Sequence, residues 1–305
     1  MIKQTFPAKI LLFGEHAVLK GGKALSIPYH KYSGGLDIPN NSTIKSRKSN
    51  ALLKAFVEIL KSKNVNLNFK KIDHDIHCGM AFDSSIPLNY GLGSSGALVA
   101  AFYSEYFDNN PRDIDNWYDL DIKNIQSQLA ILESCFHGQS SGFDPLVCLF
   151  AEPMLYQNQE IEFVSQNQSF NEKFFIIDSE LQSNTQKWVN KMMALLKNFT
   201  FESQFKEQFI VASDLCIDSF LGSNAHQLTK RIKALSQTTL NLLDFLIPES
   251  FKSLWGKGIE TDNYYLKLCG SGGGGFILGY TDDWNKLKAL QRNYKIEPIF
   301  SSVIH

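Results

Sequence analysis

The chain has 305 residues, enough for two fused domains, and its 44% hydrophobic and 20% charged residues exclude wholesale disorder and fibrous repeats. Thirty Lys plus Arg against 31 Asp plus Glu leave a formal charge of -1, so no global field draws it to nucleic acid or an anionic membrane. Apolar runs at Ile10 to Phe13 and Ala24 to Ile27, joined across the turn Lys20-Gly21-Gly22, predict two opening strands. Leu52, Leu53, Phe56, Val57, Ile59 and Leu60 recur at helical spacing over Ala51 to Lys61, and a polar stretch with one strand follows. Gly91-Leu92-Gly93-Ser94 then opens directly into an Ala- and Leu-rich helix from Ser95 to Phe107. A second amphipathic helix covers Asp121 to Phe136 and stops at His137-Gly138.

Met154 to Tyr156 and Ile161 to Val164 predict a hairpin, and Phe174 to Ile177 a strand that begins a second domain, with the boundary near residue 170. Helical periods follow at Gln186 to Lys197, Glu207 to Phe220 and His226 to Leu246, then strands at Tyr264 to Cys269 and Phe276 to Tyr280. A helix around Trp284 to Arg292 and a strand near Pro298 to Val303 complete an α+β layout. The five cysteines are scattered without a C-x-x-C pair, which predicts no disulfide framework and no zinc site. The N-terminus holds only four consecutive apolar residues before Gly14, short of a signal peptide, and no uncharged stretch reaches membrane-spanning length. A cytoplasmic location is the expectation.

Three clusters carry chemistry. Gly91-Leu92-Gly93-Ser94-Ser95-Gly96 satisfies the dinucleotide pattern G-x-G-x-x-G, yet Asp83 to Asn89 before it is polar and proline-broken. The acid expected about twenty residues on falls in the turn-like tract Asp108 to Asp115, and Ala97-Leu98 replaces the Lys-Ser/Thr of a P-loop. What survives is an anion cradle of glycine-loop amides at a helix N-terminus, with an ordinary helix cap at Ser94 or Ser95 as the plainer alternative. Glu133 and Asp144 bracket a Ser/Gly loop and on spacing alone read first as solvated surface acids; the other reading is that two carboxylates serve one cavity, one on magnesium and one on a hydroxyl proton. His137 reads as a helix-end residue. Gly270-Ser271-Gly272-Gly273-Gly274-Gly275 is either a flexible linker or a loop that lets a ligand approach the backbone.

Near the start, Pro7-Ala-Lys9-Ile-Leu-Leu-Phe-Gly-Glu15-His16-Ala-Val gathers Lys9, Glu15 and His16 at one strand-to-turn junction. Together with GLGSS at 91 to 95, E-x-x-x-H-G-x-x-S-G-x-D at 133 to 144 and GSGGGG at 270 to 275, this resembles the GHMP small-molecule kinases, with the three motifs in the family's order. Within that superfamily the motifs are most similar to those of the mevalonate kinases; phosphomevalonate kinases are the nearer competitor, galactokinases resemble it less, and a silent metabolite-binding protein on the same fold is a rival of another class. The resemblance implies a ribosomal-protein-S5-like N-terminal domain (1–170) and a ferredoxin-like C-terminal domain (171–305), with ATP between them. It implies Asp144 as the catalytic aspartate, Lys9 as the lysine paired with it, and Ser95 and Glu133 as magnesium ligands. Gly91, Leu92, Gly93, Ser94, Ser95 and Gly96 form the implied triphosphate loop, and Gly272 and Gly273 its C-terminal counterpart. Glu15, His16, Thr185 and Ser271 are the implied contacts to a mevalonate-like alcohol. ATP and Mg²⁺ are the implied cofactors, and a monomer or homodimer the implied assembly. Two departures stand out: Asn89-Tyr90 where many relatives have Gly-Ala, and Pro145 where asparagine usually follows the aspartate.

Overall fold

The computed structural model describes residues 4–63, 65–107, 120–164 and 173–300. The tract Asp108 to Asp115, the predicted boundary near 170 and the last residues of the predicted strand to Val303 lie outside them. The chain divides into two compact units: Met1–Lys9, Ile27–Pro87 and Gly93–Glu152 form the first, and Ile10–Ser26, Leu88–Leu92 and Pro153–His305 the second. Two strands, β1 (Phe6–Phe13) and β2 (Ala24–Asp37), pass from one to the other along the chain.

In the first unit, the distal half of β2 pairs antiparallel with β3 (Ala81–Ser84), from Gly34↔Ser84 to Asp37↔Ala81. Helix α1 (Ile44–Lys61) packs on β3, and α2 (Phe69–His77), α3 (Ser94–Tyr106), α4 (Ile122–His137) and α5 (Phe143–Phe150) pack with it and with one another. Helix α1 opens with a capping box in which Thr43 and Ser46 satisfy each other's backbone amides, and it buries Leu53, Phe56, Val57 and Leu60. Helix α3 is buried on nearly every side, from Gly96 through Tyr106, as its small apolar residues require. The sequence pattern missed α2, because only Ile72 and Ile76 mark its buried face. It also missed α5, a short helix buried from Phe143 to Phe150 apart from Asp144, whose Pro145 sits in the first turn where a missing N–H costs nothing.

In the second unit, the first residues of β2 pair with β4 (Met154–Gln157), which forms the expected hairpin with β5 (Glu160–Phe163). A four-stranded antiparallel sheet runs in the order β7 (Tyr265–Leu268), β8 (Phe276–Tyr280), β6 (Phe174–Asp178), β9 (Ile296–Pro298). Its helices are α6 (Thr185–Leu195), α7 (Phe199–Gln204), α8 (Val211–Leu221), α9 (Ala225–Leu242), α10 (Glu249–Thr261) and α11 (Lys288–Gln291). A π turn over Phe205–Ile210 joins α7 to α8 and stacks Phe205 on Phe209, so the single predicted helix from Glu207 is part of a longer, locally widened one. The helix predicted to Leu246 ends at Leu242 and is followed by a 3₁₀ turn. Helix α10 was not expected, because Gly256 and Gly258 dilute its pattern; Gly258 is there because a Cβ would lie 2.5 Å from the Tyr264 carbonyl oxygen. None of the five cysteines forms a disulfide, and among the described residues no helix is long and apolar enough to cross a membrane.

Candidate active site

The first unit gathers Lys9, Glu133 and Asp144. Strand β1 is buried over nearly its whole length, so Lys9, at 3% exposure, carries its charge into an apolar setting and needs a counter-charge. Its Nζ lies 2.7 Å from Asp144 Oδ2, and the aspartate side chain remains 35% exposed. Asp144 occupies the first turn of α5, where the helix dipole favours an acid. Two glycines make this arrangement possible. Gly93 caps α3 in the left-handed region at φ 72°, and a Cβ there would stand 2.7 Å from Lys9 Cγ. Gly96 lets the backbone of Asp144 and Pro145 approach, since its Cβ would lie 3.2 Å from the Asp144 carbonyl carbon. The N-termini of α3 and α5 therefore meet beside the Lys9–Asp144 pair, where both helix dipoles favour negative charge, while the Gly142 and Phe143 amides of α5 are taken by Ser140 Oγ and Ser141 Oγ.

Glu133, on the last turns of α4, is 6% exposed. Ser95 Oγ donates to its Oε1 at 3.1 Å and Ser140 Oγ to its Oε2 at 2.5 Å, while Ser140 Oγ accepts from the Gly142 amide at 2.9 Å. Burial first, and the charge of Asp144 second, push the Glu133 carboxyl up to about 7; the two serine hydroxyls and Lys9 pull the other way. A buried acid beside a second acid is relieved by a cation. The donors here are all oxygen, from Ser95, Glu133, Ser140 and Asp144, which suits a hard divalent ion. Among the described residues no three acidic, His or Cys side chains form a metal-holding group. Two carboxylates with hydroxyls fit magnesium, which keeps waters and takes further oxygens from phosphates, better than a self-sufficient protein cage.

The second unit gathers Glu15, His16, Ser183, Lys267 and Ser271. Glu15 is 2% exposed and forms a buried ion pair with Lys267, whose Nζ also donates to the Leu268 carbonyl at 2.8 Å. His16 adopts the left-handed region at φ 59°, which an L side chain enters only when its surroundings hold it there. Its Nε2 lies 3.2 Å from the Ser271 carbonyl oxygen. A carbonyl only accepts, so Nε2 carries the proton. Burial depresses the imidazole pKa, which makes the neutral tautomer with a free-lone-pair Nδ1 the resting form. Ser183 Oγ donates to the Gly272 carbonyl at 2.5 Å and stands 3.5 Å from Ser271 Oγ.

The glycine loop is tightly seated. Gly272, Gly273, Gly274 and Gly275 all have positive φ, and a Cβ at Gly273 would collide with the Trp188 indole at 1.9 Å. The Gly273 amide donates to Leu246 O and the Gly275 amide to Leu181 O, each at 2.6 Å. Gly91 packs on the Cys269 carbonyl, which a Cβ would meet at 2.5 Å, and Leu92 is buried. Ser94 begins α3. Thr185 begins α6 and is exposed; the buried hydroxyl of that segment is Ser183.

The structure thus brings Lys9, Gly93, Ser95, Gly96, Glu133 and Asp144 together in one unit, and Glu15, His16, Ser271, Gly272 and Gly91 in the other. Sequence reasoning missed Ser140 and Lys267. The signal for Lys267 was a lone cation inside the apolar run Tyr264 to Leu268.

Residues 50–152 match the family model described as the GHMP kinases N terminal domain. Over 293 residues, 90% of each chain, the sequence is 24% identical to a mevalonate kinase of Archaeoglobus fulgidus. The fold is similar to the crystal structure of L. major mevalonate kinase in complex with R-mevalonate, with a TM-score of 0.65 at 16% identity over 98% of this chain and 95% of that one. It is also similar to Streptococcus pneumoniae phosphomevalonate kinase in complex with phosphomevalonate and AMPPNP, with a TM-score of 0.59 at 16% identity over 98% of this chain and all of that one. The α+β fold is that of the GHMP kinases, and the sequence match to their N-terminal domain is confined to residues 50–152.

Proposed function

We propose that this protein is an ATP-dependent kinase of a small alcohol, transferring the γ-phosphoryl group of ATP to the 5-hydroxyl of mevalonate. The observation that carries this reading is the Lys9–Asp144 pair at 2.7 Å, set beside Glu133 where two helix N-termini meet. The sequence likeness to mevalonate kinases over 90% of the chain supports the choice of acceptor.

In this reading Asp144, the partly exposed member of its pair, orients the alcohol and receives its proton. The new bond forms between the alcohol oxygen and the γ-phosphorus, the bond to the β-phosphate oxygen breaks, and ADP departs with the electron pair. Lys9 sets a positive charge where the transferred group becomes most anionic. Glu133, Ser95 and Ser140 are the residues to hold magnesium, which supplies further positive charge to the phosphate oxygens. The amides of Gly93 to Gly96 serve the phosphates at the N-terminus of α3, with Gly91 and Leu92 leading into them. Residues 1–170 in this assignment carry the phosphate loop and catalytic aspartate, and 171–305 carry Gly272 and Gly273 of the second loop. Glu15, His16, Ser271 and Thr185 serve the acceptor. Because phosphoryl transfer needs alignment and charge more than covalent chemistry, this set suffices.

The test is ADP release measured with mevalonate, phosphomevalonate, galactose and homoserine as acceptors. Release with mevalonate well above the other three is expected. Release with phosphomevalonate or galactose alone reassigns the acceptor, and release with none of them refutes the kinase reading.

A further inference from the structure

Asn89-Tyr90, the pair that departs from the usual motif, has a definite structural use. The segment 88–92 runs between the glycine loop and residues 179–183, all within the second unit. Asn89, held at φ 64°, gives its carbonyl to the Ser183 amide at 2.9 Å. The Tyr90 carbonyl accepts from the Phe276 amide at 3.3 Å, its ring meets the Phe276 ring edge-on at 5.2 Å, and burial, then the Asp178 carboxylate at the end of β6, raise the pKa of its hydroxyl. The Tyr90 backbone also fills the space beside Gly275, where a Cβ would lie 2.7 Å from Tyr90 Cα. Gly275 in turn donates to Leu181 and accepts from Ser179. Three remote stretches are therefore clasped around one tyrosine. Past Gly91 and Leu92 the chain becomes Gly93, the cap of α3.

We propose that Tyr90 is a positioning residue for the nucleotide: it ties segment 88–92, the entry of the phosphate loop, to the Gly270–Gly275 loop, so that these two segments of the second unit behave as one preformed body. This rests on the nucleotide reading above and goes beyond it, because it assigns the coupling of the loops to a side chain that the motif itself does not specify. A small residue such as alanine offers neither the ring for Phe276 nor the hydroxyl for Asp178. Without them the 88–92 segment keeps only its backbone bonds, and the ligand must order the loop as it binds.

The experiment measures Mg-ADP affinity by calorimetry and KM and kcat with mevalonate for the intact protein, Tyr90→Ala and Tyr90→Phe. Tyr90→Ala is expected to weaken Mg-ADP and raise KM for ATP about 10-fold, with KM for mevalonate within about 2-fold; Tyr90→Phe, which keeps the ring, is expected to recover most of the loss. A role confined to stability lowers the melting temperature and the active fraction without moving KM for ATP, and that result overturns the proposal. Equal shifts in both KM values overturn it as well. Hydrogen exchange on the unmodified protein gives a readout independent of any variant. Peptides covering 86–93 and 270–276 should gain protection together on addition of Mg-ADP, and protection of one alone refutes the coupling. If the unmodified protein binds no Mg-ADP, the nucleotide reading itself fails, whereas equal affinity in Tyr90→Ala removes only the role of the tyrosine.

Discussion

Gly93→Ala tests the geometry of the site with the smallest possible change. The residue sits at φ 72°, and placing an L side chain in that region costs about 1–2 kcal/mol. The added Cβ would stand 2.7 Å from Lys9 Cγ and 2.9 Å from Lys9 Cε, against an ordinary contact of 3.4 Å, so the lysine stem must give by about 0.7 Å. That stem carries the ammonium held at 2.7 Å from Asp144. A misplacement approaching 1 Å at a reacting centre costs about 10²-fold in rate, and the expected loss in kcat/KM is of that order. The strain alone lowers the melting temperature by roughly 1.5–3 °C. Gly79→Ala separates the two effects, because Gly79 has φ 92° and a Cβ added there would meet nothing within 4 Å. It shares the strain and spares Lys9. ADP release per folded molecule and thermal melts on the two variants provide the comparison. Gly93→Ala retaining activity within about 3-fold of the unmodified protein, or Gly79→Ala losing as much activity as Gly93→Ala, refutes the argument.

Lys9→Met and Asp144→Asn are expected to lower kcat by at least about 10²–10³-fold, with far-UV circular dichroism unchanged, since each removes a preorganised charge; a variant keeping a tenth of the activity removes that residue from the mechanism. Lys267→Met withdraws the cation beside buried Glu15 and should cost about 3–5 kcal/mol in denaturant unfolding at neutral pH, with the Glu15→Gln/Lys267→Met double variant recovering part of the loss. For Glu133 the native carboxyl titrates near 7 against an ordinary 4.5, so between those values the folded protein binds more protons than the unfolded chain. Its contribution to stability therefore falls as pH rises from about 4.5 to about 7. Buried His16 acts in the opposite sense, its depressed pKa removing stability as pH falls below about 6.5. Metal-free melts of the unmodified protein and Glu133→Gln across this range isolate the first effect: the difference between them should grow with pH, and parallel curves refute it.

Much of the fold was legible because periodicity reports one-sided burial. The β4–β5 hairpin and helices α1, α3 and α4 were readable from alternation and from apolar residues three or four apart. Helix α2 offered only Ile72 and Ile76 to that test, and α10 hid behind two glycines, one of which exists to admit the Tyr264 carbonyl. No local rule reports such a contact. Helix α5 was hidden for the converse reason: buried on nearly every side over eight residues, it has no polar face to set a period.

The same division runs through the candidate site. Gly91, Gly93, Gly272 and Gly273 were visible because positive φ and close approach leave a glycine in the sequence; all four have positive φ, and their close neighbours are backbone at Gly91 and Gly272 and the Lys9 and Trp188 side chains at Gly93 and Gly273. The charged partners leave no comparable mark. Glu15 and Lys267 are 252 positions apart, and neither position alone distinguishes a buried ion pair from two solvated charges. Ser140 is one serine among several in a polar loop until the Glu133 carboxylate is placed 2.5 Å from its hydroxyl. Glycines record what the backbone must do locally, whereas the worth of a buried charge is set by whatever the rest of the chain brings beside it. The positions whose chemistry is most strongly perturbed here, Glu133 foremost, are therefore the ones that a single sequence specifies least.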